Sequence, residues 1–248
     1  MVINDKMLPA RAMQARSVSR SGLGSGLGLA VALTLCQPAL AGRPLTTDDA
    51  GTAEAGSCQV EAWQDRQDGE TARTLGAACG LIDGLEVGVE LARAEAGGEH
   101  ARARGLALKW VPEAWRWHDW QFGVKLAVGQ DREPGAGWKR SDQSALLLAS
   151  WVPNDTWAVH VNLGHAHRPL ESENARQAAV AVTWQPHPRW LVFGEMIADQ
   201  HDDVGRAAGV RWWLVPDVLG VDATVQKTHR SDARTGWGIG LGWYGIRW

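Results

Sequence analysis

Trp120-Gln121-Phe122-Gly123-Val124-Lys125-Leu126-Ala127-Val128 changes character at every step. Trp120, Phe122, Val124, Leu126 and Val128 fall on one face, and Gln121, Gly123, Lys125 and Ala127 on the other. A period of two is the signature of a β-strand with one apolar and one polar side. The same pattern recurs in Leu85 to Leu91, Trp157 to Gly164 and Leu219 to Gln226. Twelve such segments are read along the chain, at 57–66, 71–81, 85–95, 102–111, 118–128, 141–151, 157–167, 175–185, 189–198, 205–214, 219–228 and 236–248. Their length suits a tilted strand crossing a bilayer, about 9–11 residues, better than a soluble sandwich strand of about 5–6. The expected fold is therefore all-β: a transmembrane antiparallel up-and-down β-barrel of about 12 strands.

The connections support this. Asp83-Gly84, Val152 to Asp155, Gln185 to Pro188 and Val215 to Val218 are tight, and longer polar stretches at 130–140, 168–174 and 229–235 alternate with them. Short turns on one rim and long loops on the other are expected of outer-membrane barrels. Tryptophan marks the short-turn rim: Trp110, Trp115, Trp117, Trp151, Trp157, Trp184, Trp190 and Trp213 flank those turns, in a chain with 15 Trp, 1 Tyr and 2 Phe. Indole rings favour the headgroup level of a bilayer. The last strand, Gly236 to Trp243, alternates glycine with bulk, and the chain stops on Trp248. Trp248, Ile246 and Tyr244 read as an assembly signal for the barrel-assembly machinery. Counting back from Trp248, the apolar parity switches near Trp243-Tyr244, which a bulge there repairs.

The start of the chain reads as an export signal. Lys6, Arg11, Arg16 and Arg20 precede an apolar run from Leu23 to Leu35, and Ala39-Leu40-Ala41 is a small-x-small cleavage site. The expected organisation is a signal peptide at 1–41, a periplasmic or plug segment at 42–56 and an outer-membrane barrel at 57–248. Leu35 before Cys36 stands where lipidation requires a small residue. Removal of the signal leaves 21 basic and 27 acidic side chains, which gives nucleic acid no basic patch to bind. The partners implied are outer-membrane lipid, the assembly machinery and a small-molecule solute.

Two cysteines remain in an oxidising compartment. Asp68-Gly69 is a strong two-residue hairpin signal, and centring the first hairpin there pairs Gln67 with Glu70. The register then runs outward to place Cys58 opposite Cys79 at a non-hydrogen-bonded position, with Cα atoms about 4.5 Å apart. A disulfide is expected there.

By parity, Glu61, Glu86, Glu90, Lys109, Lys125, Glu195 and Asp222 face away from lipid. They either line a selective pore or pair across a narrow, filled lumen. His165-Ala166-His167 with His160 has strand spacing compatible with a metal, but no carboxylate or cysteine accompanies it, and neither a metal nor a cofactor is expected. An outer-membrane hydrolase would need Ser144, His160 and Asn162 together on a lipid-accessible face. Parity turns His160 and Asn162 inward, so no enzyme activity is expected.

Several stretches together resemble a known family. They are Arg43 to Thr52, Gln59-Val60-Glu61, Val161-Asn162-Leu163-Gly164, Trp190 to Glu195 and Gly209 to Pro216. They resemble the outer-membrane barrels labelled by the meta-cleavage pathway of phenol degradation. The resemblance implies an outer-membrane location and passage of small, aromatic or hydrophobic molecules. Transport through a channel is the function expected; a structural or surface-interaction barrel with a filled lumen is the alternative.

Overall fold

The computed structural model describes residues 44–200, 204–227 and 234–248. The expected signal peptide and Cys36 lie outside the described residues. Twelve strands form the wall: β1 (Ser57–Gln67), β2 (Glu70–Ile82), β3 (Leu85–Ala96), β4 (Glu99–Trp110), β5 (Trp120–Arg132), β6 (Lys139–Asn154), β7 (Trp157–Arg168), β8 (Glu173–His187), β9 (Trp190–Asp199), β10 (Gly205–Val215), β11 (Leu219–Lys227) and β12 (Gly236–Arg247). Each pairs antiparallel with its sequence neighbours, and β1 pairs with β12, so the sheet closes on itself. Closure removes every edge, which is what lets strands lie in lipid. No described helix is long and apolar enough to cross a membrane.

The wall inverts the pattern of a soluble protein. Leu91 is 58% exposed, Leu147 63% and Leu163 54%, whereas Glu86, Lys125 and Asp222 are at most 5% exposed. Large apolar residues outside and charges inside are what a barrel in lipid requires. At the tight-turn rim, indoles stack across neighbouring strands. Trp157 lies over Trp184 at 5.7 Å, Trp190 over Trp212 at 6.0 Å and Trp120 over Trp151 at 6.3 Å between ring centres. Trp213 differs from its neighbour Trp212: adjacent strand residues face opposite ways, so only one of the two can join this outer girdle. Trp213 turns inward and meets Tyr244 edge-on at 5.5 Å.

The first hairpin has the expected register. Asp68 and Gly69 both take positive φ, 52° and 85°, as a tight hairpin turn demands. Cys58 stands opposite Cys79 and is bonded to it, with Cα atoms 4.0 Å apart, closer than expected. The bulge in the last strand is also present. The β1–β12 register shifts between Cys58 and Val60, and Gly245 beside it has φ 69°. The contrast between rims is weaker than the sequence suggests. Asp68-Gly69 and Gly97-Gly98 are two-residue turns on the rim expected to carry long loops. On the other rim, Val111 to Asp119 makes a detour through a 3-10 turn at Glu113–Trp115 and a two-residue strand at Arg116–Trp117.

Candidate functional site: a plugged lumen

Residues 44–56 have no strand periodicity and enter the barrel instead of leaving it. An irregular segment in an enclosed space must find partners for its backbone groups, and here the wall's inward side chains supply them. The Thr46 and Thr47 N–H groups donate to the Glu195 carboxylate at 2.9 Å and 2.8 Å, and the Thr47 hydroxyl donates to it at 2.9 Å. Successive N–H groups closing on one anion form a compact electrostatic clasp. Asn162 grips Asp48 from both sides: its Oδ1 accepts from the Asp48 N–H and its Nδ2 donates to the Asp48 carbonyl, each at 2.8 Å. The Ala50 N–H donates to Ser150 Oγ at 2.7 Å, and the Ala53 N–H to Glu86 Oε2 at 2.8 Å. Two apolar pegs complete the fit. Leu45 packs on Ala181 and Phe193, and Ala50 on Val111 and Leu148.

The side chains of Asp48 and Asp49 carry the electrostatics. Lys109 and Lys125 stand directly opposite each other on β4 and β5, an arrangement of like charges that is unfavourable on its own. Asp48 resolves it by bridging both: its Oδ2 is 2.5 Å from Lys125 Nζ and its Oδ1 3.4 Å from Lys109 Nζ. Asp49 Oδ1 adds a contact to Lys109 at 3.0 Å. Burial pushes the Asp49 carboxyl up, but the Lys109 ammonium, His160 and hydrogen bonds from Lys109 and the Gly51 backbone outweigh it and hold the group below the ordinary carboxylate range. Its side chain still keeps 53% exposure, so lumen water screens the pair.

At its root the plug runs beside β2, where Ala55 pairs with Gly80 and the Gly56 N–H donates to the Gly80 carbonyl at 2.9 Å. A Cβ at Gly80 would lie 2.2 Å from the Ala53 carbonyl oxygen and 2.4 Å from that of Glu54. Only glycine leaves room for the backbone to pass.

A second cluster joins the first strand to the last three. Arg211 on β10 donates to Asp222 at 2.9 Å and to the Tyr244 hydroxyl at 2.5 Å. That hydroxyl in turn donates to Glu61 on β1. Tyr244 continues the inward parity of Gly236 to Gly242, and the bulge after it returns Ile246 to the outer face opposite Cys58. A Cβ at Gly240 would meet Asp222 at 2.5 Å and one at Gly242 the Tyr244 hydroxyl at 2.5 Å. The glycines of the last strand thus face inward, where their bareness accommodates this network. Nearer the opposite rim, Arg168 pairs with Asp199 at 2.5 Å.

Glu61, Glu86, Glu90, Lys109, Lys125, Glu195 and Asp222 therefore all lie on the inner face and are buried. Of these, Glu86, Lys109, Lys125 and Glu195 hold the plug, while Glu61 and Asp222 belong to the seam. Trp248 and Ile246 lie beyond the bulge, and the Trp248 N–H donates to the Gly56 carbonyl at 3.2 Å. His165 and His167 alternate with the buried inner-face residues Ala166 and Arg168 and so project outward, while His160 faces inward. Ser144 stands across from Ala166 and away from His160. His160 instead meets Ser150 at 2.8 Å, the same hydroxyl that receives the Ala50 N–H. Asp48, Asp49, Ser150, Asn162 and Arg211 were not singled out for these roles by the sequence pattern.

The family described as Uncharacterised conserved protein UCP029691 matches residues 29–244. The chain belongs to this family. No curated protein matches it. Among solved structures this family member is similar to the KdgM porin, with TM-score 0.59 and 10% identity over 75% of this chain and 98% of that one. A second KdgM structure, in complex with disordered oligogalacturonate, gives TM-score 0.60 at 10% identity over the same shares. The NanC porin gives 0.53 at 9% identity, over 75% and 98%. At such identities the likeness is one of fold: a closed antiparallel barrel of the outer-membrane porin type. The phenol meta-cleavage resemblance is not reproduced in these comparisons.

Proposed function

We propose that this protein is an outer-membrane channel for small molecules, closed from within by residues 44–56. The observation that carries the reading is the anchoring of that segment. It is held by polar side chains from β3 to β9 and by two apolar pegs, each reversible on its own, with no covalent link or regular sheet pairing beyond its root among the described residues. A segment held this way can leave without unfolding the wall. The phenol meta-cleavage resemblance favours small aromatic or hydrophobic cargo, and the exposed apolar band favours lipid as the surrounding partner. Export by cleavage after Ala41, and recognition of Trp248, Ile246 and Tyr244 by the assembly machinery, complete the proposed route to the outer membrane. No catalytic step is part of this reading.

Gly80→Ala tests it. The new Cβ collides with the plug backbone but touches none of the ion pairs. In planar bilayers the parent protein should stay mostly closed, and the variant should open and conduct. The alternative, a structural barrel with a permanently filled lumen, is favoured by the same ion pairs. It predicts no current from Gly80→Ala even when residues 44–56 become accessible to protease.

A further inference from the structure

The lysine pair is unequal once the plug leaves. Lys109 lies across from Glu86 as well as from Lys125, so it keeps a carboxylate neighbour on the wall. Lys125 is flanked by Lys109 on one side and by Leu146 on the other, and its ion pair is with Asp48 alone among the described residues. With the plug in place this ammonium is 3% exposed; with Asp48 gone it faces the emptied lumen beside the like charge of Lys109, an unfavourable pairing that an incoming anion relieves. It will take up any anion of suitable shape that reaches it.

The shape is already on display. Asp48 offers one oxygen to each lysine, so the pair is spaced for the two oxygens of one carboxylate. We propose that the Lys109–Lys125 pair is a carboxylate-binding site which Asp48 occupies as a built-in ligand. A small organic carboxylate entering the lumen competes with Asp48 there and releases the plug. This rests on the channel reading and gives it a ligand class. Lys125 is the primary contact and Lys109 the secondary one. Asn162 clamps the Asp48 backbone and so holds the built-in ligand in register without contacting a free acid in the same way.

Chemical rescue tests the site in the full-length barrel. Asp48→Ala removes the carboxylate that acetate carries. Saturation-transfer NMR should detect acetate on the detergent-solubilised variant, competed by succinate but not by acetamide or equimolar chloride. Adding Lys125→Gln should weaken acetate by about tenfold or more, the loss of one buried charge-assisted bond. If Asp48→Ala assembles poorly, acetate in the folding buffer should restore the yield of heat-modifiable barrel where chloride does not. The site is refuted if neither acetate binding nor rescue occurs. It is equally refuted if Lys125→Gln leaves binding intact, or if sulfate serves as well as acetate. In bilayers, succinate should raise the open probability of the parent protein. Acetate binding without current in any variant would sink the channel reading and leave the site standing. Current through Gly80→Ala without acetate binding to Asp48→Ala would do the reverse.

Discussion

Two polar clusters share this lumen, and they differ in where their partners come from. At the seam, Glu61, Arg211, Asp222 and Tyr244 bind one another, and all four belong to the wall. On the opposite side, Glu86, Lys109, Lys125, Ser150, Asn162 and Glu195 are completed by a segment that is not part of the wall. A charge in the first cluster cannot lose its partner unless the barrel opens. In the second, Lys125 loses Asp48 whenever the plug moves, while Lys109 keeps Glu86 across from it. Equal burial therefore carries unequal meaning, structural at the seam and conditional at the plug.

The sharpest way to break this contrast is to delete one cation from each cluster. Arg211→Met removes the guanidinium that the buried Asp222 carboxylate and the Tyr244 hydroxyl both bind. The barrel should lose about 3–5 kcal/mol, read as a lower urea midpoint for unfolding from vesicles. Lys125→Gln should leave that midpoint nearly unchanged, because Asp48 can escape to water, and should instead expose residues 44–56 to protease. Equal losses from the two variants would show that the plug is as integral as the seam.

A milder cut sharpens the seam alone. Tyr244→Phe removes the hydroxyl that links Arg211 to Glu61 but keeps the ring beside Trp213. A loss of about 1–3 kcal/mol is expected, with the plug's protease resistance intact. A variant as stable as the parent would mean that Arg211 reaches Glu61 well enough without the bridge.

The smallest effect concerns acid. The Asp49 carboxyl is held below its ordinary value, so its contribution to plug retention is fully present above that value. It is lost only as pH falls through the lowered one. The share of protease resistance that Asp49 contributes, read as the difference between the parent and Asp49→Asn, should therefore be flat from neutral pH down to about 4, the ordinary Asp range, and fall only below it. A difference that shrinks from near pH 6 would show that Asp49 is not held below its ordinary value.

The wall was legible because its rules are local. Alternation in 120–128 found β5, and Asp68-Gly69 fixed the pairing of Cys58 with Cys79. Inward charges followed from parity alone. Strand ends were less so: β6 begins at Lys139 and β8 at Glu173, each two residues earlier than alternation indicates, because hydrogen-bonded pairing outlasts the apolar pattern near the rims. The plug was illegible in detail because its partners are remote, 148 residues apart for Thr47 and Glu195 and 114 for Asp48 and Asn162. No period connects such pairs. The sequence marks 42–56 as a periplasmic or plug segment without naming its partners, and the seam role of Tyr244 stays hidden because Arg211 and Glu61 lie on other strands.

The plug's root has a further consequence. Ala55 and Gly56 are tied to Gly80, and the next rung is locked by the Cys58–Cys79 cross-link. Released from its lysines, Asp48 stays tethered within ~28 Å of that root, the span of eight extended residues. Recapture is then unimolecular, and a short flexible tether presents its end at an effective concentration on the order of millimolar. A freely diffusing competitor holds the lumen open only when it is present at a comparable level. On the proposed gating, tether length sets a threshold for opening: residues inserted between Thr52 and Glu54 should lower it, and deletions there should raise it until Asp48 no longer reaches the pair.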